Sequence, residues 1–390
     1  MARGMTRRCF VAAASAAACV TLLRAQETVL PETALHISST PGSRVPADFL
    51  GLSFPAATLN DAAFLTPENI SLVQQIRTLS PRGILRVAGG STKLDGVDTK
   101  VIDNLDGFLK AIGWTCVYGL RTDGNPQAAC DYISNRLGPR LNAFELSNNS
   151  DSSPQRALAT AKALQAAMPG IHFTVAADDF APWTAAADRP GLRAVSTTYA
   201  RNSSTMLQPD TGVTADLGNV ATALAAQTLR IAEASVTQPD TFAAALWSAN
   251  AALQWMQQGY AAVCMRDGTT TKEGRTLLST VGQGMKFSAA FLGATMLPVS
   301  LDTVAANVTA YAAQRADGKT IVAIFNMEAA TQVHVTAPFF DTLQVLTAPS
   351  LDAREAHVSH IVSETGSRRT STGQTFILPP HMATLLVLRQ

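Results

Sequence analysis

Short β-like runs alternate with longer helical stretches from residue 49 to residue 295. The strand candidates are FLGLSF (49–54), GILRVA (83–88), WTCVYGL (114–120), LNAFELS (141–147), IHFTVAA (171–177), LRAVSTTY (192–199), TLRIAEA (228–234) and YAAVCM (260–265). The stretches between them carry apolar residues at three- and four-residue spacing, which is typical of amphipathic helices. A regular strand–helix alternation predicts a parallel sheet. Eight units favour closure into a (β/α)₈ (TIM) barrel, an α/β fold, over an open sheet.

A second domain is predicted from the change of texture after residue 296. The run NVTAYAAQRADGKTIVAIFNM (307–327) gives two strands around the turn pair Asp317-Gly318. The strand-like segments TQVHVTA, TLQVLTA, GQTFILP and MATLLVL follow it without helical periodicity. The segment ALHISST (34–40) is also β-like. We therefore expect an antiparallel β-sandwich built from residues 26–48 and 296–390, beside a barrel of residues 49–295.

The first 25 residues have the pattern of an export signal. The pair Arg7-Arg8 stands before the alanine-rich apolar stretch Phe10–Leu23, which is too short to span a bilayer. This predicts a twin-arginine signal peptide over residues 1–25, and hence a periplasmic or extracellular protein. An ordinary secretory signal and lipid attachment at Cys19 are the alternatives. We expect no transmembrane segment in the mature chain.

Composition excludes several classes of protein. Apolar residues make up 47% of the 390 residues and charged residues 15%, which is incompatible with intrinsic disorder. A formal charge of +1 gives no basic surface for nucleic acid. Gly282-Gln283-Gly284 lies in a helical segment without the strand that a nucleotide site requires, and the histidines lack zinc spacing. We therefore expect neither a cofactor nor a metal.

Three cysteines remain after removal of the signal, namely Cys116, Cys130 and Cys264. An odd number cannot form a complete disulfide framework. Cys116 and Cys264 lie inside apolar strand candidates, which favours buried thiols. A Cys116–Cys130 bridge is the alternative.

Functional groups of such barrels project from the C-terminal ends of the strands. Glu233 ends the seventh strand candidate, and a period of two places it on one face with Leu229 and Ile231. A carboxylate at the end of an apolar strand is costly unless it is paired or used in function. Either it forms a structural ion pair, with Arg230 or a loop arginine, or it belongs to a functional site.

Other side chains at the predicted mouth could bind a ligand. Lys93, Arg121, Arg201 and Arg266 follow strand ends, either as solvated loop charges or as partners for an anionic sugar. The tryptophans are mostly expected in the core, and Trp183, after the fifth strand, is the exception. The candidate substrate-binding residues are Asn148, Tyr199, Arg266, Lys93 and Trp183.

Segment 229–263, LRIAEASVTQPDTFAAALWSANAALQWMQQGYAAV, resembles the nucleophile region of glycoside hydrolase family 79, the retaining β-glucuronidases and heparanase-like enzymes. The motifs FLGLSF, LRVAGGST and FELSNNSD resemble that family's first, second and fourth strand ends, and MLPV (296–299) resembles the start of its C-terminal sandwich. The resemblance implies that Glu233 occupies the nucleophile position. It also implies a carbohydrate ligand, including glycans that contain uronic acid.

The acid/base position departs from the family pattern. The family's fourth strand ends approximately in Gly-Asn-Glu-Pro-Asp, whereas this chain has Asn149 in place of the glutamate. An amide cannot donate the proton, and general acid–base catalysis contributes about 10²–10⁴-fold to rate. Asp151 is the local substitute acid, or else a helix N-terminal residue. Glu145 is four residues before Asn149 and therefore about 13 Å deeper in the barrel, which predicts a structural role.

Further departures occur at Phe54-Pro55-Ala56, around Thr197-Thr198-Tyr199 and at Cys264-Met265-Arg266. The sequence therefore predicts a glycoside hydrolase-like exported protein with impaired activity on ordinary glycosides. The alternatives are a catalytically silent carbohydrate-binding protein and an unrelated chemistry on the same fold.

Overall fold

The computed structural model describes residues 32–88, 98–120, 126–147, 154–176, 191–209, 228–302, 307–362, 367–371 and 373–389. Eight parallel strands close into a barrel, each paired with its neighbours in chain order. The strand Ala262–Arg266 closes the ring on the strand Leu50–Phe54, with Leu50 opposite Val263. The barrel strands are β2 Leu50–Phe54, β3 Ile84–Val87, β4 Thr115–Leu120, β5 Leu141–Ser147, β6 Phe173–Ala176, β7 Leu192–Arg201, β8 Thr228–Val236 and β9 Ala262–Arg266. The predicted (β/α)₈ fold is confirmed.

Six α-helices lie in the described part of the chain. They are α1 Ile70–Leu79, α2 Thr99–Ile112, α3 Pro126–Leu137, α4 Pro154–Ala167, α5 Phe242–Gln257 and α6 Thr280–Ser288. Side-chain oxygens cap the N-termini of several of these helices. At the start of α5, for example, Thr241 Oγ1 accepts a hydrogen bond from the Ala244 N–H. Helix α2 is terminated by Gly113, the residue after Ile112, whose left-handed φ of 77° glycine adopts readily.

A hairpin and a close helix contact complete the last unit of the barrel. Strands β10 Thr269–Lys272 and β11 Arg275–Leu278 pair between β9 and α6, a feature absent from the sequence prediction. A Cβ added at Gly284 of α6 would lie 2.1 Å from the Ala245 carbonyl oxygen of α5. Gly284, the second glycine of the Gly-Gln-Gly run, therefore allows α5 and α6 to approach each other closely.

The accompanying domain is a β-sandwich of two sheets. Its strands are β1 Glu32–Ile37, β12 Thr295–Leu297, β13 Val299–Leu301, β14 Val308–Gln314, β15 Thr320–Asn326, β16 Val333–Ala337, β17 Phe340–Thr347, β18 His357–Val362, β19 Ser367–Arg369, β20 Gln374–Leu378 and β21 Met382–Leu388. One sheet has the order β13-β1-β16-β20-β19 and the other β12-β14-β15-β21-β17-β18. All pairs in these sheets are antiparallel except the parallel pair β1/β16.

The two domains share a continuous core. The second sheet contributes Tyr311 and Phe325 to the cluster that also contains the barrel helices, whereas Val322 and Ile324 pack between the two sheets. Asn250 Oδ1 of α5 accepts hydrogen bonds from Thr309 Oγ1 and from the Tyr311 hydroxyl, at 2.7 and 3.0 Å. Polar and apolar contacts thus both join the sandwich to α5.

Cys116, Cys130 and Cys264, hereafter the three buried thiols, are free and buried, so the alternative Cys116–Cys130 bridge is not formed. Burial raises the pKa of Cys130 and of Cys264 to about 12. Among the helices of the described residues, none has the length and apolar character needed to cross a membrane.

Candidate active site

Glu233 reaches the barrel mouth through an irregularity in β8. Ile231 pairs with Thr197 and Glu233 with the next residue, Thr198, so Ala232 is an extra residue in the ladder. Such a bulge interrupts the alternation of side chains along a strand. The bulge therefore contradicts the prediction, made from a period of two, that Leu229, Ile231 and Glu233 lie on one face. Glu233 nevertheless points into the barrel, where side chains of β2 and β3 contact it.

Arg86 of β3 is the centre of the site. Its Nε and Nη2 donate to the two oxygens of Glu145, at 2.7 and 2.6 Å, in a two-pronged pair. Its Nη1 donates to Glu233 Oε2 at 2.9 Å and to Ser53 Oγ at 2.8 Å. Burial on its own would lower the pKa of Arg86, but the charges of Glu145 and Glu233 outweigh burial and raise it. The guanidinium is thus a fixed positive charge between two carboxylates.

The two oxygens of Glu233 have different partners. Oε2 accepts from Ser53 Oγ at 2.9 Å and from buried Arg86. Oε1 accepts from Arg266 Nη1 at 3.2 Å, and the Arg266 side chain is 49% exposed. Oε1 is therefore the oxygen whose protein partner a bound ligand could displace. Two cations therefore contact Glu233, whose side chain is 20% exposed.

Glu145 has the structural role that its depth in the barrel predicts. Its side chain is 1% exposed, and both oxygens accept from Arg86. A carboxylate held in this way is not available to transfer a proton.

The other predicted site residues fall into two groups. Arg266 lies against Glu233, whereas the ring of Tyr199 packs against Trp247 and Trp255 of α5, with centroid distances of 6.5 and 5.5 Å. Their roles in substrate binding stay predictions. The remaining residues lie outside the described part of the chain: Asn148, Asn149, Asp151, Lys93 and Trp183.

Arg230, the predicted ion-pair partner of Glu233, and Arg201, one of the cations predicted at the mouth, take different places. Arg230 donates to Asn142 Oδ1 at 2.8 Å rather than to Glu233, and burial lowers its pKa. Arg201 donates to the carbonyl oxygens of Thr205 and Gln208, holding the segment after β7. Within the described residues, Glu233 pairs with Arg86 and with Arg266, so the predicted ion pair with a loop arginine is present.

Sequence reasoning missed Ser53 and Arg86. An available signal was the charge of Arg86 inside the apolar strand ILRV, since a buried arginine requires a carboxylate partner. Asp267 directly follows Arg266 with a left-handed φ of 57°. Burial, followed by the charges of Glu233 and Asp240, raises its pKa against the opposing effect of Arg266.

The position of Glu233 allows chemistry by a carboxylate. Within the described ranges, no group of three His, Cys, Asp or Glu side chains could hold a metal ion. An ionised carboxylate at the C-terminal end of a barrel strand can attack an electrophilic carbon or stabilise a developing positive charge. Both actions are those of a glycosidase nucleophile.

Comparison with solved structures supports the same fold. A family 51 α-L-arabinofuranosidase from Bifidobacterium longum matches with a TM-score of 0.71 at 12% identity, covering 92% of this chain and 100% of that one. A 4-O-α-L-rhamnosyl-β-D-glucuronidase from Fusarium oxysporum 12S matches with 0.67 at 18%, covering 91% and 100%. A family 30 endoxylanase from Clostridium papyrosolvens C71 matches with 0.60 at 13%, covering 92% and 100%.

No protein-family model and no curated protein matches the sequence. At these identities the structural matches establish a shared fold: a barrel with an accompanying β-domain, as found in distant glycoside hydrolases.

Proposed function

We propose that this protein is a glycoside hydrolase-like enzyme in which Glu233 forms a covalent bond to the sugar. The observation that carries the proposal is the position of Glu233: a partly exposed carboxylate at the end of β8, held by Arg86 and Arg266. The fold is one that glycoside hydrolases use, and their nucleophiles are carboxylates at such strand ends.

The neighbours of Glu233 fit a nucleophile. Arg86 and Ser53 fix Oε2, which orients the carboxylate and leaves Oε1 facing the more exposed Arg266. A sugar entering the mouth would replace the Arg266 contact and meet Oε1 directly. Arg266 would then be free to bind a negatively charged group of the ligand.

The proposed substrate is a carbohydrate, and glycans that contain uronic acid are the first class to test. One structural match acts on a glucuronide, and the residues of segment 229–263 resemble family 79. Asn149 in the acid/base position implies that glycosides with poor leaving groups react slowly. The paired arginine and apolar stretch of residues 1–25 support export, with the protein acting outside the cytoplasm.

A second candidate is a carbohydrate-binding protein without catalysis. The observation in its favour is that both oxygens of Glu233 already have cationic partners, in a chain with Asn149 at the acid/base position. Such a protein would bind the glycan in the same mouth without breaking a bond.

Hydrolysis of activated aryl glycosides, β-glucuronide included, distinguishes the two. Dinitrophenyl glycosides need no proton donor, and azide replaces activated water as the second nucleophile. Wild-type protein, Glu233→Gln and Asn149→Glu are compared with and without azide. The enzyme proposal predicts turnover of the activated glycosides that is lost in Glu233→Gln. Stimulation of the wild-type protein by azide, with a gain on unactivated glycosides in Asn149→Glu, would show that no other residue takes the place of the acid/base. Glycan binding without turnover in any of the three proteins would favour the second candidate.

A further inference from the structure

Asp267 lies next to the proposed nucleophile on the neighbouring strand. It directly follows β9, which pairs with β8 in the barrel. Ala234, adjacent to Glu233, is opposite Met265. Asp267 is two residues further along the chain, just past the mouth end of β9, where it is exposed and close enough to Glu233 for the two charges to interact.

The backbone at Asp267 is held in an uncommon conformation. Its φ of 57° lies in the left-handed region, which few residues other than glycine, asparagine and aspartate adopt. The Ser279 hydroxyl donates to the Asp267 carbonyl oxygen, and Ser279 N–H donates to the Gly268 carbonyl oxygen at 3.1 Å. These bonds to the residue before α6 fix the turn. Backbone strain of this kind is concentrated at functional sites.

The carboxyl group of Asp267 differs from the other acids of the site. In the part of the chain that the structure describes, it makes no hydrogen bond or ion pair, whereas Glu145 is bound to Arg86 and Glu233 to two arginines. Burial and the nearby carboxylates of Glu233 and Asp240 raise the pKa of Asp267, although Arg266 opposes them. A carboxyl whose pKa is raised, beside a second carboxyl that is held by cations, is the pairing that acid and nucleophile require.

We propose that Asp267 is the proton donor of this site, supplying what Asn149 cannot. The proposal rests on the proposed role of Glu233 as nucleophile. In the first step, the Asp267 proton moves to the glycosidic oxygen as the bond from that oxygen to C1 breaks and a Glu233 oxygen bonds to C1. In the second step, the Asp267 carboxylate takes a proton from water, the water oxygen bonds to C1, and the Glu233 carboxylate is released. Each residue ends in its starting state.

The test compares Asp267→Asn with wild type on two glycosides of the same sugar, one with a dinitrophenyl and one with an alkyl leaving group. Asparagine adopts the left-handed conformation readily, so the variant should fold. We expect kcat/KM on the alkyl glycoside to fall about 10²–10⁴-fold. Bond cleavage in the dinitrophenyl glycoside, measured with azide present, should be nearly unchanged. The alkaline limb of the wild-type pH profile on the alkyl glycoside should disappear in the variant.

Two matched controls keep the outcomes separate. Asp317→Asn removes a carboxylate from the turn between β14 and β15 of the sandwich and should leave the alkyl glycoside rate within a few-fold of wild type. Asp151→Asn tests the acid predicted from the sequence. Equal rates for Asp267→Asn and wild type on both substrates, or a loss confined to Asp151→Asn, would overturn the assignment of Asp267 and leave the role of Glu233 intact. Dinitrophenyl glycoside turnover that survives Glu233→Gln would overturn the role of Glu233 itself.

Discussion

Replacing Arg86 by methionine tests the electrostatic account of the site. Arg86 is 6% exposed and makes the hydrogen bonds that compensate buried Glu145. In Arg86→Met, Glu145 keeps none of its described partners, while Glu233 retains Ser53 and Arg266. Removing one member of a buried ion pair costs about 3–5 kcal/mol because the other charge is left uncompensated. We therefore expect the free energy of unfolding to fall by about 4 kcal/mol.

Urea denaturation followed by tryptophan fluorescence measures this loss in the barrel, because all four tryptophans lie between residues 114 and 255. The double variant Arg86→Met/Glu145→Met should recover most of the stability, since an apolar pair can replace a buried ion pair at little cost. Arg266→Met is the control: Arg266 is 49% exposed and should contribute no more than about 1 kcal/mol. A loss below about 1 kcal/mol in Arg86→Met, or no recovery in the double variant, would refute the reasoning.

Three further predictions concern the scaffold. Burial would raise the pKa of Asp106, but hydrogen bonds from Lys110 and Arg140 outweigh it and lower the pKa. The ionised form thus stabilises the fold above the unfolded pKa near 3.8. Asp106→Asn should cost about 2 kcal/mol at pH 7 in urea titrations, and the difference should vanish as pH falls through the lowered pKa; an equal difference at pH 7 and pH 2 would contradict this. Gly284→Ala should cost about 1–3 kcal/mol in thermal unfolding because its Cβ meets the Ala245 carbonyl oxygen, and an unchanged Tm would contradict the close contact. The three buried thiols should resist iodoacetamide in the native protein and react in guanidinium, as read by peptide mass spectrometry; native labelling would show that they are accessible.

The architecture was predictable from the sequence because the barrel repeats one simple pattern. Each of the eight strand candidates overlaps a barrel strand, and the segment 307–327 forms the paired strands β14 and β15. Short strands without a strong pattern were missed, among them the hairpin β10/β11. Its threonine-rich first strand has little apolar alternation, so period two gives no signal.

The candidate site was predictable only in part, because its geometry depends on contacts between distant strands. Glu233 was identified from its position, but the bulge at Ala232 that directs it depends on pairing with β7, which no local pattern encodes. Arg86 lies 147 positions from Glu233 in sequence, and nothing in either strand specifies that they meet. The charge of Arg86 inside an apolar strand indicates that a carboxylate partner exists, but it does not indicate which residue that partner is.

Covalent trapping tests the central claim most directly. The protein is incubated with a panel of dinitrophenyl 2-deoxy-2-fluoroglycosides, β-glucuronide included, and then analysed by intact-protein and peptide mass spectrometry. The fluorine slows breakdown of the glycosyl-enzyme, and the leaving group removes the need for an acid. The proposed function predicts one added sugar per chain on the peptide that contains Glu233, and none in Glu233→Gln. An adduct on a different residue, or no adduct from any sugar on the folded protein, would contradict it.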